Sequence, residues 1–172
     1  MVHVYQRRIE FKASDGFELD GLLLPGNYKH ESELLNNPII IIVHGELGHF
    51  LSQGTPRILP KYLHGRGISS FSINTRMANI GRLKGERIFD DAIMDLEASV
   101  DLVEDMGFNR IYILGYSLGA NLAIYYASQY SNPNVHGIIL EGCTYSLPES
   151  HRKRLNKWNS IKPKKGLQNL TS

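Results

Sequence analysis

A single cysteine, Cys143, stands in the 172-residue sequence, so no internal disulfide can form and a reducing compartment is compatible. No apolar run approaches the roughly 20 residues needed to cross a bilayer. The amino terminus, Met-Val-His-Val-Tyr-Gln-Arg-Arg, alternates like a strand and lacks the apolar stretch and cleavage site of a secretory signal. Together these lacks predict a cytoplasmic protein with no membrane span. Acids are missing from residues 151–172, where Arg152, Lys153, Arg154, Lys157, Lys162, Lys164 and Lys165 give +7 and leave −5 for the remainder out of a net +2. A basic tail on an acidic body raises nucleic acid or an acidic surface as partner. No aromatic platform or binding motif accompanies the charge, so the expectation is a solvated, poorly ordered tail and no nucleic-acid partner. Beside His44 and His49 no acid or cysteine sits at ligand spacing, which argues against a metal site.

What is present is organised around residues 111–121, Ile-Tyr-Ile-Leu-Gly-Tyr-Ser-Leu-Gly-Ala-Asn. An apolar run of strand type breaks at Gly115 and resumes as a helix-compatible segment through Ala120, Leu122, Ala123, Ile124 and Ala127. Ser117 sits at the break. With a glycine two residues to either side it has the G-x-S-x-G spacing of a turn so tight that the serine backbone is strained. A side chain at Gly115 or Gly119 would collide as strand and helix close up. Such a turn lifts the Ser117 hydroxyl above the sheet and puts the Leu118 N–H at a helix start, where it can donate to an oxyanion. The competing reading is a glycine-flanked serine in an ordinary strand-to-helix turn.

Upstream, residues 38–49 read Pro-Ile-Ile-Ile-Ile-Val-His-Gly-Glu-Leu-Gly-His. An unbroken Ile/Val run is the pattern of a strand covered on both faces by helices. With these two motifs in this order, the chain resembles the α/β-hydrolase superfamily over about residues 1–145, in particular its small esterase, acylglycerol-lipase and serine-aminopeptidase-like members. The resemblance implies that His44-Gly45 matches the H-G pair of the loop after the family's third strand. It also implies that the Glu46 N–H joins Leu118 as second oxyanion donor, that Tyr116 and Leu118 shape an acyl pocket, and that no cofactor is needed. The implied fold is α/β, a doubly wound and mostly parallel sheet of α/β-hydrolase type. The family's sheet has about eight strands in usually well over 200 residues. This chain is therefore expected to lack the last strands, with 1–150 the amino-terminal portion of the hydrolase domain and 151–172 the tail. Residues 160–172 show neither helix periodicity nor strand alternation, as a truncation or reading-frame remnant would.

The remaining pattern fits that architecture. Residues 2–12 and 17–24 read as strands joined through Asp15-Gly16, a hairpin signal. A helix is expected over 56–66, with Pro60 making its first turn irregular, then a strand over 68–73. Where the family carries an Asp-x-Arg-Gly type loop, this chain has Asn74-Thr75-Arg76-Met77. Arg76, Arg82, Lys84 and Arg87 suit a substrate carboxylate or phosphate, but solvated loop charges are the plainer reading. Phe89, Ile93, Leu96, Val100 and Val103 give 88–106 a helical stripe, closed by Gly107, with Asp90, Asp91, Asp95, Glu97, Asp101, Glu104 and Asp105 expected mostly on its solvated side. The helix after Ser117 should run to about Tyr130, before Asn132-Pro133, and 135–140 should be a further strand.

A serine hydroxyl alone is a poor nucleophile at neutral pH, so acyl transfer needs a histidine base and an acid to orient it. In the fold that the chain resembles, these follow the serine along the chain. Past Ser117 the acids are Glu141 and Glu149 and the histidines His136 and His151. Glu141, near the end of its strand, and His151 are the candidate acid and base, although His151 lacks a final strand to deliver it. His136 starts its strand at the wrong end of the sheet and reads as structural. His44 is expected to shape its loop, and Cys143 to be a small buried residue. The expected function is hydrolysis of a small-molecule acyl ester, thioester or amide, weak or absent in this short chain. The alternative is a hydrolase-like binding module or half of a complemented enzyme, with self-association through an uncovered sheet edge.

Overall fold

The computed structural model describes residues 6–28, 37–79, 88–146 and 149. Among the described residues six strands form one sheet and three α-helices pack on it: β1 (Arg7–Lys12), β2 (Glu18–Leu24), β3 (Ile39–Val43), α1 (Thr55–His64), β4 (Ser69–Asn74), α2 (Ile88–Asp105), β5 (Ile111–Tyr116), α3 (Leu118–Gln129) and β6 (Val135–Glu141). The strand order is β1-β2-β4-β3-β5-β6. β1 and β2 are antiparallel to their neighbours, and β4, β3, β5 and β6 run parallel. This is the mixed sheet expected from a hairpin followed by alternating strands and helices.

Central position explains the isoleucine run. All five residues of β3 are buried. Its odd positions, Ile39, Ile41 and Val43, join the larger core with α2 and α3, while Ile40 and Ile42 meet Leu63 of α1 and Leu114 of β5 on the other face. α1 starts one residue earlier than expected and runs through Pro60, which is buried. Without its N–H, Pro60 gives up one bond to the carbonyl four residues back. After α2 the chain reverses at Gly107, φ 96, where the Phe108 N–H returns to the Val103 carbonyl at 3.1 Å.

Two charges sit differently from the sequence reading. Arg76 is not a solvated loop charge: its side chain is 7% exposed and its guanidinium pairs with Asp95 at 2.7 Å and Asp15 at 2.8 Å. Asp95, expected on the wet side of α2, is fully buried. The guanidinium also lies 4.7 Å over the Phe17 ring. Burial opposes the Arg76 charge, but the hydrogen bonds it donates to Asp95 and Asp15 outweigh that and raise its pKa above the ordinary arginine value. The divergent 74–77 loop thus ties the β1–β2 turn to the core-facing side of α2. Arg82, Lys84, Arg87, His151 and the 151–172 tail lie outside the described residues.

Candidate functional site

Ser117 is the single residue between β5 and α3, and its backbone is at φ 53, ψ −117. Positive φ in a residue with a Cβ is costly, on the order of 1–3 kcal/mol, and is held only where the surroundings demand it. Here they do. A Cβ on Gly115 would lie 2.3 Å from the Gly119 carbonyl oxygen, and one on Gly119 would lie 2.5 Å from the His44 carbonyl oxygen. Strand β5 therefore passes directly into α3, which in turn packs onto the end of β3. The Leu118 N–H belongs to the first turn of α3, where no residue four positions back can accept it within the helix.

The segment after β3 comes to the same place. Val43 is in register with Gly115 on the neighbouring parallel strand. Residues 45–48 then form a turn closed by the Gly48 N–H to the Gly45 carbonyl at 3.0 Å, with Leu47 at φ 56. Among the described residues Leu47 and Ser117 are the non-glycine positions with positive φ, so both strained positions lie at this end of the sheet. A Cβ at Gly45 would approach the Ser117 Cβ to 3.1 Å. The turn carrying Glu46 thus rests against Ser117 backbone to side chain.

His44 fixes that turn from below. It is fully buried, and its Nε2 accepts the Thr75 N–H at 3.2 Å and lies 3.1 Å from the Thr75 hydroxyl. An amide can only donate, so Nδ1 carries the proton and donates to the Gly45 carbonyl at 2.7 Å. Burial pushes the His44 pKa down, keeping the ring neutral. Both nitrogens are committed. Thr75, in the loop that departs from the family pattern, was not singled out by sequence because its partner is 31 residues away.

On the other flank β6 pairs with β5, with Glu141 opposite Tyr116. The Ser117 N–H donates to the Glu141 carbonyl at 2.7 Å. The Glu141 carboxylate accepts the Thr55 hydroxyl at 2.8 Å, at the start of α1. The site thus gathers Ser117, the Gly45–Glu46 turn, Leu118 and Glu141 at the carboxyl ends of β3, β5 and β6, where open α/β sheets hold their reacting groups. Thr55, Asn121 and Thr144 are further members that sequence did not single out: Asn121 pairs with both the carbonyl and the N–H of Thr144, at 2.8 and 3.3 Å. Cys143 is exposed rather than buried, because the chain leaves the sheet at Glu141.

Among the described residues no histidine hydrogen-bonds to Ser117 Oγ. His64 meets the Pro25 carbonyl at 2.6 Å and His136 the Asn109 carbonyl at 3.3 Å, both away from Ser117. Nor do the described residues contain a group of three or more His, Cys, Asp or Glu able to hold a metal ion. No helix among them is long and apolar enough to cross a membrane. A groove of about 380 Å³ along β1 and β2 is at the opposite end of the strand order. Its charges are already paired, Arg8 with Asp20 at 2.8 Å and Lys12 with Glu18 at 3.4 Å, so it offers no unmet chemistry.

A family model described as alpha/beta hydrolase fold matches residues 38–164. No curated protein matches the chain. Among solved structures, an esterase of Pyrococcus furiosus superposes with a TM-score of 0.73 at 17% identity, over 92% of this chain and 58% of that one. A putative alpha/beta hydrolase of unknown function from Agrobacterium tumefaciens gives 0.63 at 24%, over 84% and 62%. A thermostable carboxyl esterase of Bacillus coagulans, solved with glycerol, gives 0.65 at 16%, over 89% and 51%. At these identities the likeness shows the fold, and this chain spans between half and two thirds of each of those three proteins.

Proposed function

The chain belongs to the alpha/beta hydrolase fold family, and from that premise we propose that it is a serine hydrolase acting on a small carboxylic ester, thioester or amide. Ser117 Oγ attacks the acyl carbonyl carbon. The Oγ–C bond forms, the hydroxyl proton passes to a base, and the carbonyl oxygen becomes an oxyanion held by the N–H groups of Leu118 and Glu46. Collapse expels the alcohol, thiol or amine with a proton, and water then releases the acid from the acyl-serine. Tyr116 and Leu118 shape the acyl pocket. Glu141 and His151 are proposed as acid and base, and no cofactor takes part.

One observation carries this reading: Ser117, at φ 53, lies against the Gly45 turn at the ends of adjacent parallel strands. His44 is not the base, since taking a proton on Nε2 would break its bond from the Thr75 N–H. Were His151 not to reach Ser117, oxyanion and binding catalysis alone would remain, roughly 10³–10⁴-fold over water. We propose on this ground that turnover by this short chain is slow. A fluorophosphonate probe tests the assignment. Labelling of the wild type that vanishes in Ser117→Ala supports it, and labelling that survives in Ser117→Ala overturns it. No labelling at all favours the second reading, a non-catalytic hydrolase-like module or half of a complemented enzyme. That reading draws on the exposed Ile139 and Leu140 of β6.

A further inference from the structure

The first turn of α3 closes a hydrogen-bonded ring with the exit of β6. The Ser117 N–H donates to the Glu141 carbonyl at 2.7 Å. Beyond Glu141 the chain turns at Gly142, φ 64, and its next peptide tie is to a side chain. Asn121 Nδ2 donates to the Thr144 carbonyl at 2.8 Å, and the Thr144 N–H donates back to Asn121 Oδ1 at 3.3 Å. A side-chain amide paired in this two-point way substitutes for the backbone of a neighbouring strand. Asn121 stands four residues after Ser117, about one helical turn along α3. The ring therefore runs from Ser117 through the helix to Asn121, across to Thr144, back to Glu141 and across again to Ser117.

Each link bears on the serine. A strained φ, ψ pair relaxes unless its neighbours hold it. Gly45 restrains Ser117 from the β3 side by close contact, and the Glu141 carbonyl restrains it from the β6 side by a hydrogen bond. The β6 side is the weaker one, because Glu141 is the last residue of its strand, is exposed, and among the described residues belongs to the outermost strand. Two ties secure that strand end, Thr55 on the Glu141 carboxylate and Asn121 on Thr144. Resting on the reading of Ser117 as nucleophile, we infer that Asn121 is a positioning residue. By pinning Thr144 it keeps the Glu141 carbonyl on the Ser117 amide, and so keeps the serine in its strained, outward geometry. Because that bond occupies the Ser117 amide, it also makes Leu118 the donor that this turn contributes to an oxyanion.

The test is the rate of fluorophosphonate labelling over a range of probe concentrations in wild type, Asn121→Ala and Asn121→Asp, with hydrogen exchange of residues 142–146 followed in parallel. Aspartate keeps an acceptor for the Thr144 N–H but sets a carboxylate oxygen against the Thr144 carbonyl, so it breaks one of the two bonds without leaving a void and is read alone where alanine does not fold. The expected result is a maximal labelling rate lower by about tenfold in Asn121→Ala and at least severalfold lower in Asn121→Asp. The half-saturating concentration stays within about twofold, since probe binding is untouched. Faster exchange at 142–146 with an unchanged labelling rate makes the ring structural only and overturns the inference, as does a loss confined to the half-saturating concentration. A wild type that does not label removes the nucleophile assignment and this inference together, whereas a labelled wild type matched by Asn121→Ala removes the inference alone.

Discussion

His44 shows how a residue that looks chemical by type is structural by environment. Its imidazole is buried, donates a hydrogen bond to the Gly45 carbonyl and accepts one from the Thr75 N–H, and burial holds its pKa below the ordinary histidine value. In the unfolded chain the same ring takes up a proton near pH 6.5. The unfolded state therefore binds more protons across the interval from there down to the lowered folded value, and stability falls as pH falls through it, by at most about 1.4 kcal/mol per pH unit. Urea unfolding at about pH 7.5 and about pH 5.5 should show this loss, and His44→Asn, which keeps a donor for Gly45 and removes the titration, should reduce the difference. An equal pH loss in His44→Asn would assign the effect to other groups. Asp15 does not mimic it: its pKa is lowered chiefly by the Arg76 hydrogen bond, so its contribution is lost only at more acid pH, below the usual carboxylate range.

At the scale of elements, the site depends on how closely α3 approaches β3. Adding a methyl group at Gly119 would place it 2.5 Å from the His44 carbonyl oxygen and 2.6 Å from that of Val43. Both obstacles are backbone, at the end of the central strand and in the residue that follows it, so neither can swing aside. Gly119→Ala should cost at least about 1–3 kcal/mol in urea unfolding, whereas Gly137→Ala in β6, whose nearest atom is a Tyr112 ring carbon at 3.6 Å, should be close to neutral. Equal costs at the two positions would refute the close-approach account. The same closeness made the motif legible: only a strand meeting a helix without side-chain room needs glycine on both sides of Ser117. The Ile/Val run of β3 and the Asp-Gly of the β1–β2 turn were legible for equally local reasons. What was not legible depends on distant partners. Arg76 is buried because the 3₁₀ turn Arg76–Asn79 brings it to Asp15, 61 residues earlier in sequence. Thr55 reaches Glu141 across 86 residues, and no local pattern encodes that meeting.

At the scale of the whole molecule, the two faces and one edge of the sheet differ in ways that bear on association. α1 carries Arg57 and Lys61 and no acid, while α2 on the opposite face carries Asp90, Asp91, Glu97, Asp101, Glu104 and Asp105 and no base. Burial, followed by repulsion from Glu97, Glu104 and Asp105, raises the Asp101 pKa. Oppositely charged faces favour head-to-tail contact that salt weakens. The β6 edge offers a different mode. Among the described residues β6 pairs only with β5, and Ile139 and Leu140 are 41% and 42% exposed on its two faces. Among the described residues the outer ladder positions of β6 have no strand partner; an edge of that kind with apolar flanks favours strand pairing with a second copy, and such a contact depends little on salt because the energy is apolar and backbone in origin. Sedimentation velocity over a roughly hundredfold concentration range should therefore show a dimer that persists in about 0.5 M salt. Ile139→Lys and Leu140→Lys should each shift it toward monomer, since a charge on an exposed edge opposes pairing. A dimer that dissolves in salt and ignores both substitutions would place the contact between the charged faces instead, and a wild type that stays monomeric throughout would show that the β6 edge does not pair at all.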